Sequence, residues 1–232
     1  MNKIKYIKIS KNQLRILDSL YIDGSYEKKY FKCNKCKYTE HFGILKFSKS
    51  NLKKIVIDAN IKSYHKNDPD ILVPNNCELY KYQYIFHTHP STPQPLSRLN
   101  ENILYEFPSI DDIFHFIDHF NNGNTLGSLV ICAEGVYIIT TLNLNKKIIL
   151  KNEKKIYNKL NNIFSDIQSL AIQKYYKKLN LKTFFKKIIY DKYFIKLFNN
   201  HLNKINIKIK YYPRIKINKK YILNEFYLKI KL

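Results

Sequence analysis

Two histidines separated by one residue carry the first chemical signal: His87-Thr88-His89, followed at once by Pro90. In an extended chain, residues i and i+2 point to the same side. Two imidazoles placed that way can share one metal ion. Zn2+ suits imidazole nitrogen, accepts a carboxylate as third ligand and keeps a position open for water. Asp112, three residues after Ser109, supplies a third ligand. Ser-x-x-Asp at the start of a helix puts both side chains on one face, and the same spacing is also an ordinary N-terminal cap. Two further pairs raise the same question. Cys33-x-x-Cys36 lacks the second ligand pair that makes a zinc ribbon, with only Cys77, His65 and His41 scattered around it, and is read as having no metal role. His115 and His119 lie four apart without the adjacent Glu of a zincin helix. They are read as surface residues or supports of the site.

The elements that must position these residues follow from periodicity. Residues 80–86 (YKYQYIF) are aromatic and β-branched and predict a strand that runs straight into His87. A loop with Pro90, Pro93, Pro95 and Pro108 then extends to about Phe107, a length more often functional than idle. Ser109 caps a helix, SIDDIFHFIDHF, with Asp111 and Asp112 in its first turn and Asn122-Gly123 at its end. Residues 128–132 and 136–141 predict a hairpin around Glu134-Gly135, and residues 148–150 another short strand. Upstream, residues 3–9 alternate as a strand, and Ser10 caps a helix with Leu14, Ile16, Leu17 and Leu20 on one face. Asp23-Gly24 marks a turn, residues 42–47 and 54–59 predict strands, and residues 63–76 a loop. The fold class is α/β. After Asn152, Ile156, Leu160, Ile163, Phe164, Ile167 and Leu170 follow helical spacing, and a second helix is predicted over 183–202. Residues 205–232 alternate apolar and basic residues with a break at Pro213, predicting a terminal strand pair. The organisation is a domain over 1–150 and a basic helical and β-hairpin extension over 151–232.

This pattern resembles the JAMM (MPN-plus, JAB-domain) metalloprotease family. Its motif is an upstream Glu, then His-x-His-Pro, then Ser-x-x-Asp. Glu40-His41-Phe42-Gly43-Ile44-Leu45 matches the family's Glu-x-x-Gly-x-Leu, 47 residues before His87. The strand and helix from Tyr6 to Tyr21, and the hairpin around Ala133-Glu134-Gly135-Val136-Tyr137, are similar to the family's opening and closing elements. The resemblance covers roughly residues 4–150. It implies an MPN/JAB-like mixed, curved β-sheet flanked by helices, with a basic C-terminal α+β extension. It further implies one Zn2+ held by His87, His89 and Asp112. Glu40 then acts as general base on the metal-activated water and passes the proton to the leaving amine. Ser109 hydrogen-bonds the oxyanion. The implied activity is a zinc metallopeptidase, a deubiquitinase-like isopeptidase, with ubiquitin or ubiquitin-like conjugates as the first substrate class. One spacing departs from the family. The gap from His89 to Ser109 is long, and the usual gap lands on Ser97-Arg98-Leu99-Asn100. A neutral amide is a poorer zinc ligand than a carboxylate, so a site built on Asn100 would be degenerate. The helix and strand that follow favour Ser109 and Asp112 and make residues 91–107 an insertion shaping substrate access. The alternatives are a catalytically inactive MPN scaffold and a nucleic-acid-binding protein acting through the basic tail.

Composition bounds the remaining classes. With 45% hydrophobic residues in 232, 20 Tyr, 14 Phe and only five Gly, the chain can bury one sizeable core and is not disordered. The net charge of +23 is uneven. Residues 1–150 carry 20 basic and 14 acidic residues, whereas residues 151–232 carry 21 and four. No Lys or Arg occurs between Leu99 and Asn145. That acidic stretch could dock the basic tail, within a chain or across a dimer. Lys interleaved with aromatics at 174–178 and 184–187 suits nucleic acid or another anionic partner, and equally suits helices that present solvated lysines. Lys, Asn, Ile and Tyr dominate throughout, as an AT-rich genome dictates, and the composition suits a large DNA virus or an AT-rich protist. Four cysteines are too few for a disulfide scaffold, and no apolar stretch is long enough for a signal peptide or membrane span. The expected location is intracellular: cytoplasm or nucleus, or a viral factory or virion.

Overall fold

The period-two run at the N-terminus forms strand β1 (Ile4–Ile9), with Ile7 and Ile9 buried. Helix α1 (Lys11–Gly24) starts directly after it. Ser10 accepts from the Gln13 N–H and the Gln13 side chain accepts from the Ser10 N–H, a reciprocal cap. The computed structural model describes residues 3–26, 28–29, 36–49, 51–57, 61–62, 70–72, 77–90 and 94–232. Within these, strands β2 (Thr39–Glu40), β3 (Phe42–Phe47), β4 (Leu52–Ile57) and β5 (Tyr84–Thr88) precede helix α2 (Ile110–Asn122). Strands β6 (Gly127–Ile131) and β7 (Gly135–Thr141) follow, then helices α3 (Glu153–Tyr175), α4 (Leu181–Lys186) and α5 (Tyr193–Leu202). The chain ends in β8 (Ile207–Pro213), a short hairpin of β9 (Ile215–Ile217) with β10 (Lys220–Ile222), and β11 (Phe226–Lys231).

One six-stranded mixed sheet organises the molecule, in the order β8-β7-β6-β5-β3-β4. Only β5 and β6 are parallel, and all other neighbours run antiparallel. Residues in register share a face. Phe86, Leu129, Ile138 and Lys210 line the first face, and His87, Val130, Tyr137 and Tyr211 line the second. The first face takes α1 and a two-stranded ribbon of β1 with β11. The Tyr84 hydroxyl pins that ribbon, donating to the Lys229 carbonyl and accepting from the Lys229 N–H. The second face takes the other helices. There Phe107, Phe164 of α3 and Phe198 of α5 meet edge-on and stacked, with Tyr137 of the sheet against Phe107. The fold is therefore mixed α/β, a mixed sheet flanked by helices. Among the described residues no helix is long and apolar enough to cross a membrane.

The last 80 residues complete the sheet. Strand β8 is its edge beside β7, and β11 pairs with β1, 200 and more residues away. The terminal strand pair expected within 205–232 is thus replaced by two long-range pairings, and only β9 with β10 forms locally. Alternation specifies a strand and the face it buries, but not its partner. One core spans the 150/151 division, with Leu160, Ile167, Phe198 and Ile209 in the same cluster as Phe86 and Val130. Other boundaries move too. The helix expected over 183–202 is interrupted at Asp191, whose carboxylate accepts from the Tyr193 N–H, the Tyr175 hydroxyl and Lys174. Residues 148–150 are not a strand, because the Asn121 amide takes up both backbone groups of Ile148. The strand expected over 80–86 begins at Tyr84 after a 3-10 turn and so includes His87, and β4 starts two residues before the predicted 54. Within the predicted 63–76 loop, Asp70–Leu72 pairs parallel with β2, and the rest lies outside the described residues.

Arg214, the residue after β8, locks the tail to the body. It is 4% exposed. Its guanidinium donates to the carbonyls of Ala133 and Cys132, pairs with Asp18 of α1 at 2.6 Å and lies over the Tyr21 ring. Its backbone N–H donates to the Glu134 carbonyl. Removing one partner of such a buried pair leaves an uncompensated charge and costs about 3–5 kcal/mol. Arg214→Ala should lower the unfolding free energy in urea by about that amount, and Arg214→Lys should not restore it, lacking the planar fork. An unchanged denaturation midpoint would show that the clamp contributes nothing.

Candidate metal centre

The parallel pairing of β5 with β6 continues past the strand end, where the His89 N–H donates to the Ile131 carbonyl at 2.8 Å. This holds His89 extended, so its ring stays on the side of His87. The chain then leaves the sheet and returns as α2, whose first turn comes back over the same strand end. His87 Nε2 lies 3.1 Å from His89 Nε2 and 3.1 Å from Asp112 Oδ1, and His89 Nε2 lies 3.3 Å from Asp112 Oδ2. The three groups offer ligand atoms all within 4.8 Å of one another. When both rings are unprotonated at Nε2, the three groups present acceptors to one point and could hold a metal ion there; with a ring protonated, it donates to Asp112 instead. Two imidazole nitrogens and one carboxylate oxygen fit zinc.

Ser109 and Asp112 also form the helix cap. The Ser109 Oγ accepts from the Asp112 N–H at 3.1 Å, and Asp112 Oδ2 accepts from the Ser109 N–H at 2.7 Å. The cap therefore fixes the carboxylate that faces the histidines. His87 is held in turn by Phe42, whose ring lies nearly parallel to the imidazole at a centroid distance of 6.4 Å.

Glu40 reaches the site through β2. The next residue, His41, pairs with the body of the sheet: its N–H donates to Thr88 Oγ1, and its carbonyl accepts from the Thr88 N–H, both at 2.9 Å. The His41 ring turns toward Asp23 of α1, at 2.9 Å. Alternation sends Glu40 and Phe42 to the opposite side, that of His87. Gly43 lets the strands close here, since a Cβ at this position would run into the Val56 carbonyl and the Phe86 ring. Burial raises the Glu40 pKa, while the charges of His89 and then His87 pull it back. Burial also opposes ionisation of Asp112, but the charge of His87 and hydrogen bonds from both rings hold it well below the ordinary carboxylate range. For His89, burial disfavours the proton, yet the hydrogen bond and charge of Asp112, with Glu40 behind them, raise its pKa to about 9.

The structure thus gathers His87, His89, Asp112, Ser109 and Glu40 around one strand end. Asn100 does not join them: it is exposed on a 3-10 turn, Leu99–Glu101. His115 lies near enough for the charge of His87 to add to burial in lowering its pKa, and it packs on Phe42. His119 stacks on Tyr80 and is lowered to about 4 by burial and by His115. Neither belongs to the ligand group. Cys33 and the side chain of Cys36 lie outside the described residues. Sequence reasoning passed over Arg98. Its Nε pairs with Glu101 and its Nη1 with the buried Glu106, each at 2.9 Å. Its charge is felt by Glu40, and that of Glu106 by His89. A signal did exist: only three of the 41 basic residues are arginine. In a chain that uses lysine by default, an arginine marks a place that needs a fork.

No protein-family model matches the chain, and no solved structure matches it. An uncharacterized protein of Acanthamoeba polyphaga mimivirus is 33% identical over 248 aligned positions, taking in 98% of this chain. The chain spans 66% of that viral protein's length.

The His89 shift sets a pH dependence. Its ordinary pKa is 6.5, and in the folded chain the ring keeps its proton up to about 9. The resulting stabilisation is complete below pH 6.5 and is lost as pH rises through 9. In chelator-treated protein, the unfolding free energy should therefore fall from pH 6.5 to 9, and His89→Gln should flatten that window. Metal binding needs unprotonated rings, so stabilisation by added Zn2+ should grow over the same range. A flat profile for the unsubstituted chain would contradict the arrangement.

Proposed function

We propose that the protein is a zinc-dependent isopeptidase or peptidase of the JAMM type, with an MPN/JAB-like fold, acting first on ubiquitin or ubiquitin-like conjugates inside a cell. The observation that carries this reading is the convergence of His87 Nε2, His89 Nε2 and the Asp112 carboxylate, with Glu40 in electrostatic reach of all three. Those three residues would hold the metal. Bound there, Zn2+ supplies Lewis acidity, polarising a carbonyl and making water a nucleophile near neutral pH.

The chain's own groups supply the rest. Glu40 is half-buried within the electrostatic reach of the histidines, and its raised pKa brings its proton exchange closer to neutrality. It takes the proton of the attacking water and delivers it to the leaving amine. Ser109 Oγ already accepts from the Asp112 N–H, so its own O–H remains to donate to the developing oxyanion. One such donor contributes about 2.7–4 kcal/mol to the barrier. Arg98, braced by Glu101 and Glu106, adds a fixed positive charge on the loop side of Glu40. That loop, residues 94–107 among those described, flanks the site and would shape what enters. The direction of Asp112, toward the two rings, favours this reading over an inactive scaffold.

Metal analysis of the purified chain should give one equivalent of zinc. Glu40→Gln should keep the metal and lose about 10²–10⁴-fold in cleavage of an isopeptide-linked ubiquitin substrate. His89→Ala should lose both metal and activity. Purified protein without stoichiometric metal, and unable to take it up, would sink the proposal.

A further inference from the structure

Away from the histidines, two adjoining cavities of about 430 and 480 Å3 share Leu126, Leu144 and Asn145. The first lies between the first face of the sheet and the β1–β11 ribbon. Its floor includes Tyr84 and Ile138, and its walls carry Lys208 and Lys210 of β8 and Lys229 of β11. The second continues past the end of α2 and carries Lys146, Lys147 and Lys231. No Asp or Glu lines either cavity.

What distinguishes this clustering is its recess, where Lys208, Lys210 and Lys229 line one cavity; outside it, Lys8 meets Glu225 at 2.8 Å and Lys174 meets Asp191 at 2.7 Å. Glu225 is the acid adjoining the ribbon, and it is already engaged by Lys8. The Lys210 ammonium is lowered first by burial and then by the charges of Lys208 and Lys229. Like charges held that close are unfavourable unless an anion joins them. The rim also exposes two large rings: Tyr6 is 61% and Tyr227 56% exposed. In the ribbon register Tyr6 stands opposite Lys229, and Tyr227 opposite Lys8, so each tyrosine shares a ribbon face with a lysine. The Asn143 and Asn145 side chains complete a polar wall.

We propose that this trough binds single-stranded nucleic acid, with phosphates on the lysines and bases stacked on Tyr6 and Tyr227. A recessed groove that combines unneutralised lysines with exposed rings is the arrangement single strands use. An acidic polypeptide would use the lysines and leave the rings idle. Lys208, Lys210, Lys229 and Lys231 belong to the 151–232 extension expected to meet an anionic partner, but to its strands rather than to the aromatic-flanked lysines of 174–178 and 184–187. The site draws on four separated segments, from β1, the 143–147 turn, β8 and β11, and it does not rest on the hydrolase reading.

The test is fluorescence anisotropy of the full chain with a labelled oligothymidylate of about 20 nucleotides, over a series of salt concentrations. The triple variant Lys208→Gln, Lys210→Gln, Lys229→Gln should weaken binding at least about tenfold and reduce the salt slope by about 2. Lys154→Gln, Lys155→Gln, Lys159→Gln on α3 removes the same charge and should leave affinity within about twofold of the unsubstituted chain. Tyr6→Ala with Tyr227→Ala should weaken binding about tenfold while leaving the salt slope unchanged. The proposal is overturned if the oligonucleotide does not bind, or if both lysine triples weaken it equally. It is also overturned if the tyrosine pair has no effect and polyglutamate displaces the strand at equal charge.

Discussion

Strands Tyr84–Thr88 and Gly127–Ile131 run parallel, and a parallel pair cannot be joined by a tight turn. The chain must cross over a face of the sheet, and it does so as the helix Ile110–Asn122. A crossover helix begins near the carboxyl end of the strand it leaves. That single constraint brings Ser109 and Asp112 to the strand end that carries His87 and His89. Open α/β sheets hold their ligands at such ends for the same reason. The helix N-terminus favours the ionised Asp112 by its dipole, and the cap hydrogen bonds fix its direction. A residue that stabilises the helix start thereby becomes the third member of a group that could hold a metal ion.

The tail is coupled to that geometry. His89 is tethered to the Ile131 carbonyl, and Ile131 leads directly into the Cys132–Glu134 turn. The carbonyls of that turn accept from Arg214, which reaches back to Asp18 of the first helix. At Gly135 the tail strand passes so close that a Cβ would meet the Tyr212 carbonyl. Residues beyond 200 thus brace the segment that positions one histidine. The outer strand also caps the sheet edge beside Gly135–Thr141, which would otherwise present unpaired backbone groups.

The legible part of the site was the part encoded by short spacings. His87, His89, Ser109 and Asp112 need only a strand end and a helix start, and both follow from local pattern. Glu40 was legible through a resemblance, because its approach depends on how His41 pairs with Thr88, 47 residues away. Arg98 escaped notice because its partners lie on an irregular loop with no period to read. The pairing of Ile207–Pro213 and Phe226–Lys231 escaped for another reason: alternation chooses a face, while partners are chosen by whichever edges stay open after the rest folds. The lysine trough was invisible for the same reason, since each segment alone resembles an ordinary solvated strand or turn.

Charge is the property that the fold rearranged most. The absence of Lys and Arg from Leu99 to Asn145 coincides with the crossover helix and the two strands Gly127–Ile131 and Gly135–Thr141, much of which is buried. Lysine is excluded there because its ammonium would have to be desolvated. What remains near the histidines includes the buried Glu106, whose charge reaches His89 and which pairs with Arg98. Exposed lysines farther away than about 8–10 Å are screened by salt and act little there. The net charge of +23 therefore governs what the whole surface attracts, while the site is governed by a handful of local charges. Lysines added on the distant surface would therefore change what the molecule attracts while leaving the local charges around His87, His89 and Asp112 nearly as they are.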